Sequence, residues 1–149
     1  MAPLKTTEVF EAHFDLAAPH GIDDGFLIFE VTDGYIKGEG ISGKALTPAG
    51  DWMQVNNGIA TLDVRGQAKM DDDSLLYFEY KGRAVFEEGG GLKDNYLAAV
   101  PLYRTTSEKY GYLTQHQYVA KMTDMKMPEG PKGSGKEGFI EYAVYRIDP

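Results

Sequence analysis

From Val9 to Leu16 apolar and polar residues alternate without a break. Phe10, Ala12, Phe14 and Leu16 fall on one side; Glu11, His13 and Asp15 fall on the other. A period of two is the mark of a strand with one face buried. The pattern returns in Ile59–Ala68, where Leu62, Val64 and Ala68 oppose Thr61, Asp63, Arg65 and Gln67. It returns again in Leu75–Phe86, with Leu76, Phe78 and Tyr80 opposite Tyr77, Glu79 and Lys81. Gly25–Thr32 is apolar at nearly every position, which suits a strand covered on both sides. Ala98–Thr106, Tyr112–Thr123 and Gly138–Ile147 read as further strands. Turn chemistry separates these segments. Asn57-Gly58, Asp71-Asp72-Asp73 and Asp33-Gly34 predict tight turns, the last a two-residue hairpin with Tyr35–Ile41 as its return strand. Gly38, Gly40 and Gly43 suggest bulges or a bent strand. Glu87–Asn95, with its triglycine, and Met125–Gly138, rich in Gly, Pro and Lys, read as long mobile loops able to act as lids. Only Tyr96–Val100 suits a short helix.

Eight to ten strands joined by hairpins argue for an all-β chain, either one antiparallel barrel or a sandwich. The polar strand faces then meet solvent or line a wet lumen.

Composition narrows the function. The 149 residues fit one domain spanning 1–149, and 18 Gly, 10 Tyr and 7 Phe agree with β-structure rich in turns. Without cysteine there is no disulfide framework, thiolate metal site or Cys nucleophile, and three histidines give little for a metal centre. A net charge of −8, with no basic block, disfavours nucleic acid and anionic membranes as partners. No apolar run matches a membrane helix, and MAPLKTTEVF lacks a signal-peptide core, so a cytoplasmic protein is expected. Gly89–Gly91 lacks the Gly-Lys-Ser/Thr ending of a phosphate loop, nothing marks a dinucleotide site, and no cofactor is expected.

The candidate chemistry lies in a few places, each with a plain structural alternative. Asp63 and Arg65 share one strand face, either as a pair in which the guanidinium keeps the carboxylate ionised as a base, or as a surface ion pair. Asp51 and Trp52 follow a Pro-x-Gly turn. Asp51 reads best as capping backbone amides and Trp52, the only tryptophan, as a pocket wall. Tyr77 and Glu79 share a face, with Arg104 one strand later; the phenol and guanidinium suit an enolate, the alternative being a wall Tyr and a Glu–Arg pair. Tyr112, Thr114, His116 and Tyr118 alternate as an acid–base stripe with His116 as proton shuttle, or as an exposed polar face. His13 between Glu11 and Asp15 reads as a solvated face rather than a metal site.

GEGISGKAL, PAGDW, LDVRG, LLYFEYKG, LYRTT and YGYLTQHQYVA follow in order. Together they resemble a microbial family of small single-domain proteins of unknown function (DUF3237, also UPF0311), over roughly residues 8–147. The chain departs from the family pattern at Ala49, where Gly is usual, at Tyr112, where Trp is usual, and at Thr114, where Asn is usual. The resemblance implies a small antiparallel barrel similar to allene oxide cyclase and to calycin or lipocalin-like folds, with Asp63 and Arg65 facing inward near Trp52. It implies no particular reaction.

Two functional readings follow. The first is a cofactor-independent isomerase, cyclase or lyase acting on a small apolar, aromatic or polyketide-like compound in a barrel pocket. Asp63 or His116 would be the base, with Arg65 keeping Asp63 ionised and Tyr77 and Arg104 stabilising an oxyanion; Asp51, Trp52, Glu79, Tyr112, Thr114 and Tyr118 would contact substrate. The alternative is a non-catalytic carrier of a small molecule. Apolar outer strand faces also suit a homo-oligomer, most simply a dimer.

Overall fold

A computed structural model describes all of residues 1–149. The alternating segments become nine strands: β1 (Thr6–Leu16), β2 (His20–Asp23), β3 (Phe26–Gly38), β4 (Ile41–Asn56), β5 (Ile59–Met70), β6 (Leu75–Phe86), β7 (Leu92–Arg104), β8 (Tyr118–Lys126) and β9 (Gly138–Ile147). They pair antiparallel in the order β1-β9-β8-β7-β6-β5-β4-β3-β2, and β1 also pairs with β3. That last ladder closes eight strands into a barrel, leaving β2 as a short flap on β3. No helix is long and apolar enough to cross a membrane.

Asn57 (φ 53°) and Gly58 (φ 78°) make the left-handed turn that joins β4 to β5, because Asn and Gly tolerate that region. Asp33-Gly34 does not make the hairpin its dipeptide predicts. β3 continues through it, since Gly34 pairs with Phe14 and Tyr35 with His13 on β1, and the ladder to β4 resumes at Tyr35–Lys44. The chain bends there and reverses instead at Glu39-Gly40, between Gly38 and Ile41. Tyr96–Val100 is strand, held inside β7 between β6 and β8. Tyr112–Thr123 is not one strand either. Gly111–Thr114 is a 3₁₀ turn, and β8 begins only at Tyr118.

The barrel interior is packed with side chains. Eight strands enclose a space that side chains can just fill, and here aromatic rings fill it. Phe14 stacks on Phe78 (5.2 Å), Tyr80 meets Tyr142 edge-on (5.4 Å), and Tyr103 meets Tyr118 edge-on (5.4 Å). Only small cavities are described within it, of about 40 and 20 Å³. The wet lumen that the polar strand faces allowed is therefore absent, and those faces point outward.

His13 shows what one such outer face does. Its Nε2 lies 2.8 Å from Asp15 Oδ1 and its Nδ1 2.8 Å from Glu141 Oε1, so the ring donates to both carboxylates when protonated. Tyr35 and Phe139 sandwich it at 5.0 and 5.2 Å. Partial burial alone would lower its pKa; the bonds to Asp15 and Glu141 outweigh that and raise it above the ordinary 6.5. A raised folded value gives stability that is complete below pH 6.5 and fades as pH rises through the folded value. His13→Gln should thus lower the urea midpoint more at pH 6 than at pH 9; equal losses at both would sink this account.

Candidate functional site

Asp63 and Arg65 share a face, but it is the outer one. Leu62 and Val64, their neighbours, are buried in the core, so period two turns the charged pair out. This corrects the inward placement drawn from the resemblance: the apolar side of an amphipathic strand takes the core. The two are loosely paired, Arg65 Nη2 to Asp63 Oδ2 at 3.5 Å. Arg65 lies over the Trp52 ring, 5.7 Å from its centroid. Trp52 is itself outward and 38% exposed.

The register of the sheet gathers the rest. Gln67 pairs with Tyr77, and Tyr77 with Arg104, placing these three in one row across β5, β6 and β7. With Pro48, Trp52 and Arg65 on one side and Leu75, Thr105, Thr106 and Thr114 on the other, they line an open groove of about 910 Å³. Its floor is the barrel wall at Ala49, Gly66, Leu76 and Tyr103. β4 gains extra residues opposite β5 between Leu46 and Gly50, and this bulge lifts Pro48 to the rim. Across the groove, the segment after β7 is tied down by acids of the β5–β6 turn. Ser107 Oγ donates to Asp72 Oδ2 (2.5 Å), the Tyr110 hydroxyl donates to Asp71, and Lys109 Nζ lies 3.1 Å from both Asp71 oxygens. The 3₁₀ turn that follows carries Thr114 to the groove.

The groove is cationic. Two guanidinium groups line it and no carboxylate does, although the chain carries a net charge of −8. Arg104 makes no ion pair within the chain. Such a site suits an anionic oxygen presented on a flat aromatic body.

Asp51 occupies the opposite side of β4 from Trp52. It is 6% exposed and is the one buried charged residue. The expected turn cap is replaced by a strand position: the Asp63 N–H donates to its Oδ1 at 3.0 Å, where the β4–β5 ladder skips Trp52 and Met53. Burial pushes its pKa up to about 6, and the Asp63 charge adds to the rise. It lines the 40 Å³ internal cavity, whose other walls are all apolar or aromatic, among them Tyr80 and Tyr142. The Tyr142 hydroxyl is buried without a partner, and burial raises the pKa of both phenols.

The expected stripe of Tyr112, Thr114, His116 and Tyr118 does not form. Tyr112 is exposed on the 3₁₀ turn, and the half-buried His116 ring sits 3.3 Å from the Tyr112 carbonyl. Tyr118 turns inward with its hydroxyl buried and unpartnered. Glu79 pairs with Arg65 across the strands but does not line the groove. Gln67, Thr105 and Thr106 join the groove in addition to the residues expected from the sequence. Gln67 had a usable signal, since it continues the Asp63–Arg65 period; the two threonines had none, because only the fold of the following segment brings them in.

Residues 4–147 match the family described as "Protein of unknown function (DUF3237)", and the chain belongs to that family. No curated protein sequence matches it. Among solved structures, it is similar to a conserved protein of unknown function from Rhodopseudomonas palustris (TM-score 0.82, 21% identity, 99% of this chain and 100% of that one). It is similar to a beta-barrel-like protein from Acinetobacter baumannii AYE (0.72, 22%, 99% of each). It is also similar to an enzyme from Penicillium herquei (0.66, 18%, 99% of this chain and 97% of that one). At these identities the likeness shows the barrel.

Proposed function

We propose that this DUF3237 protein is a cytoplasmic, cofactor-independent enzyme of isomerase, cyclase or lyase type. Its substrate is a small aromatic or polyketide-like compound bound at the outer groove as an enolate or phenolate, and its other partner is a second copy of the chain. The observation that carries the reading is the convergence of Trp52, Arg65, Tyr77, Arg104 and Thr114 on one groove without a carboxylate. These residues come from the separate motifs on which the family resemblance rests. In this reading Arg65 and Arg104 hold the substrate's anionic oxygen, which favours ionisation of an acidic enol or phenol. Trp52 supports the ring; the enol or phenol gives its proton to water in the open groove, the Tyr77 hydroxyl delivers a proton to carbon, and water then restores the phenol. The description of the Penicillium herquei relative as an enzyme supports catalysis over carriage.

Trp52 is the only tryptophan and borders the groove, so its emission reports occupancy directly. Small enolisable phenols and aromatic carboxylates should change that emission saturably. Arg104→Ala should weaken the effect about 10-fold or more, the loss expected for a charge-assisted hydrogen bond. Tyr77→Phe should keep binding and lose turnover. Binding that persists while no compound is ever turned over would leave a carrier; an emission that answers none of them would remove the groove as a site.

A further inference from the structure

Eight of the large apolar side chains left exposed lie on the outer face of β4–β7: Leu46, Trp52, Ile59, Leu75, Val85, Tyr96, Val100 and Leu102. Apolar side chains gathered on one side of the barrel suit a docking surface. At its centre four charges form a checkerboard, because Asp63 pairs across the strands with Lys81 and Arg65 with Glu79. Neither Glu79 nor Lys81 makes an ion pair within the chain.

We infer that this face docks on the same face of a second copy, about a two-fold axis that crosses the strands over Val64, Tyr80 and Pro101. These three residues are paired in register on β5, β6 and β7, so they define one line across the sheet. A two-fold axis lying in that line exchanges the row Arg65–Glu79–Leu102 with the row Asp63–Lys81–Val100. Arg65 then faces the partner's Asp63, and Glu79 faces the partner's Lys81. Leu102 meets the partner's Val100, apolar against apolar. One row out, Gln67 meets the partner's Thr61, and Tyr77 meets the partner's Arg83. Farther along β6, Leu75 meets the partner's Val85. The positions nearest the axis thus find complementary ones, as an isologous contact requires; farther out, Arg104 lies over the partner's Ala98 and Lys69 over the partner's Ile59. Aligned sheet packing keeps the register closest near the axis, where the four charges are. The occupant is a second copy because the complement to this pattern is the pattern itself.

The arrangement bears on the proposed function, because the second copy brings its Arg83 beside Tyr77 and takes Arg65 into a pair with its own Asp63, leaving Arg104 to hold the anionic oxygen in the dimer. The dimer itself stands without that function. Its test reads mass, and the groove's reads the change in Trp52 emission on adding ligand at a protein concentration where the mass stays constant, so the two fail separately.

Sedimentation equilibrium of the full chain from micromolar to millimolar should give a dimer. Lys81→Glu sets like charges face to face and should weaken the dimer about 10-fold or more, with an unchanged far-ultraviolet spectrum. The exchange Glu79→Lys with Lys81→Glu should restore it, because each new charge still faces its opposite across this axis. Leu102→Lys, away from the checkerboard, should also give monomers. A wild-type chain that stays monomeric throughout, or a dimer indifferent to Lys81→Glu and Leu102→Lys, overturns the interface. An exchange variant that stays monomeric overturns the axis.

Discussion

Asp51→Asn should make the fold more stable by about 3 kcal/mol at pH 8 and leave it nearly unchanged near pH 3. The sign follows from where the proton goes. Unfolded, the carboxyl ionises around 3.8; folded, burial holds the proton until about pH 6. Between these values the folded chain binds more protons than the unfolded one, so wild-type stability falls as pH rises through the window. Above about pH 6 the full cost of burying the charge is present, roughly 1.4 kcal/mol for each of about two pH units. Asparagine carries no charge at any of these pH values, yet its side-chain oxygen can still accept from the Asp63 N–H. Urea titrations of both proteins at pH 3, 5 and 8 should therefore diverge only as pH rises; parallel curves would show that Asp51 ionises in the fold at little cost. Asp63→Asn offers an independent check. Removing that outer charge should lower the Asp51 pKa, because the Asp63 charge contributes to its rise. A buried acid that weakens the fold at neutral pH is a stability cost of the kind found at functional positions. Its place directly behind Trp52 puts that cost against the groove wall.

What the sequence could show depended on whether the deciding partner lay nearby along the chain. Asn57-Gly58 turned as expected because its left-handed angles are local demands. Asp33-Gly34 sends the same signal, but β1 and β4 hold the strand on either side of it, and those ladders lie far away in sequence. Period two correctly placed Asp63 with Arg65; the side they faced was also readable, from Leu62 and Val64, once the lumen was known to be packed. Asp51 is the reverse case. An Asp-Trp pair suggests the ring inside and the acid outside, and the structure inverts both. Ala45 and Met53 point inward on the same parity, and that phase carries Asp51 with them through the bulge. The barrel was thus legible from alternation and turns, and the motif residues were legible as a set. Their convergence on an outer groove was not, because it depends on register across four strands.

Phe78→Ala should be the most damaging single truncation of the core, costing about 3–5 kcal/mol. Phe78 is 2% exposed and among the largest fully buried side chains. Its ring stacks on Phe14 and on Tyr80 (6.4 Å), so its loss empties the centre of the aromatic packing. The space it uses is created by its cross-strand partner Gly66. A Cβ on Gly66 would stand 2.5 Å from Phe78 Cζ and 3.1 Å from the Ala49 Cβ, so the ring lies where a side chain would otherwise be. Gly66→Ala should then destabilise by about 1–3 kcal/mol through overpacking. The two changes should not add: with Phe78 trimmed to Leu, Gly66→Ala should cost much less, and a double-mutant cycle by urea denaturation measures the difference. Strict additivity would mean that the ring and the glycine do not share that space. Gly66 and Tyr103, which flank Phe78 in register, also form part of the groove floor. Phe78→Ala should therefore weaken the Trp52 response to groove ligands even under conditions where the variant stays folded. A full response would separate the packing of the core from the shape of the groove.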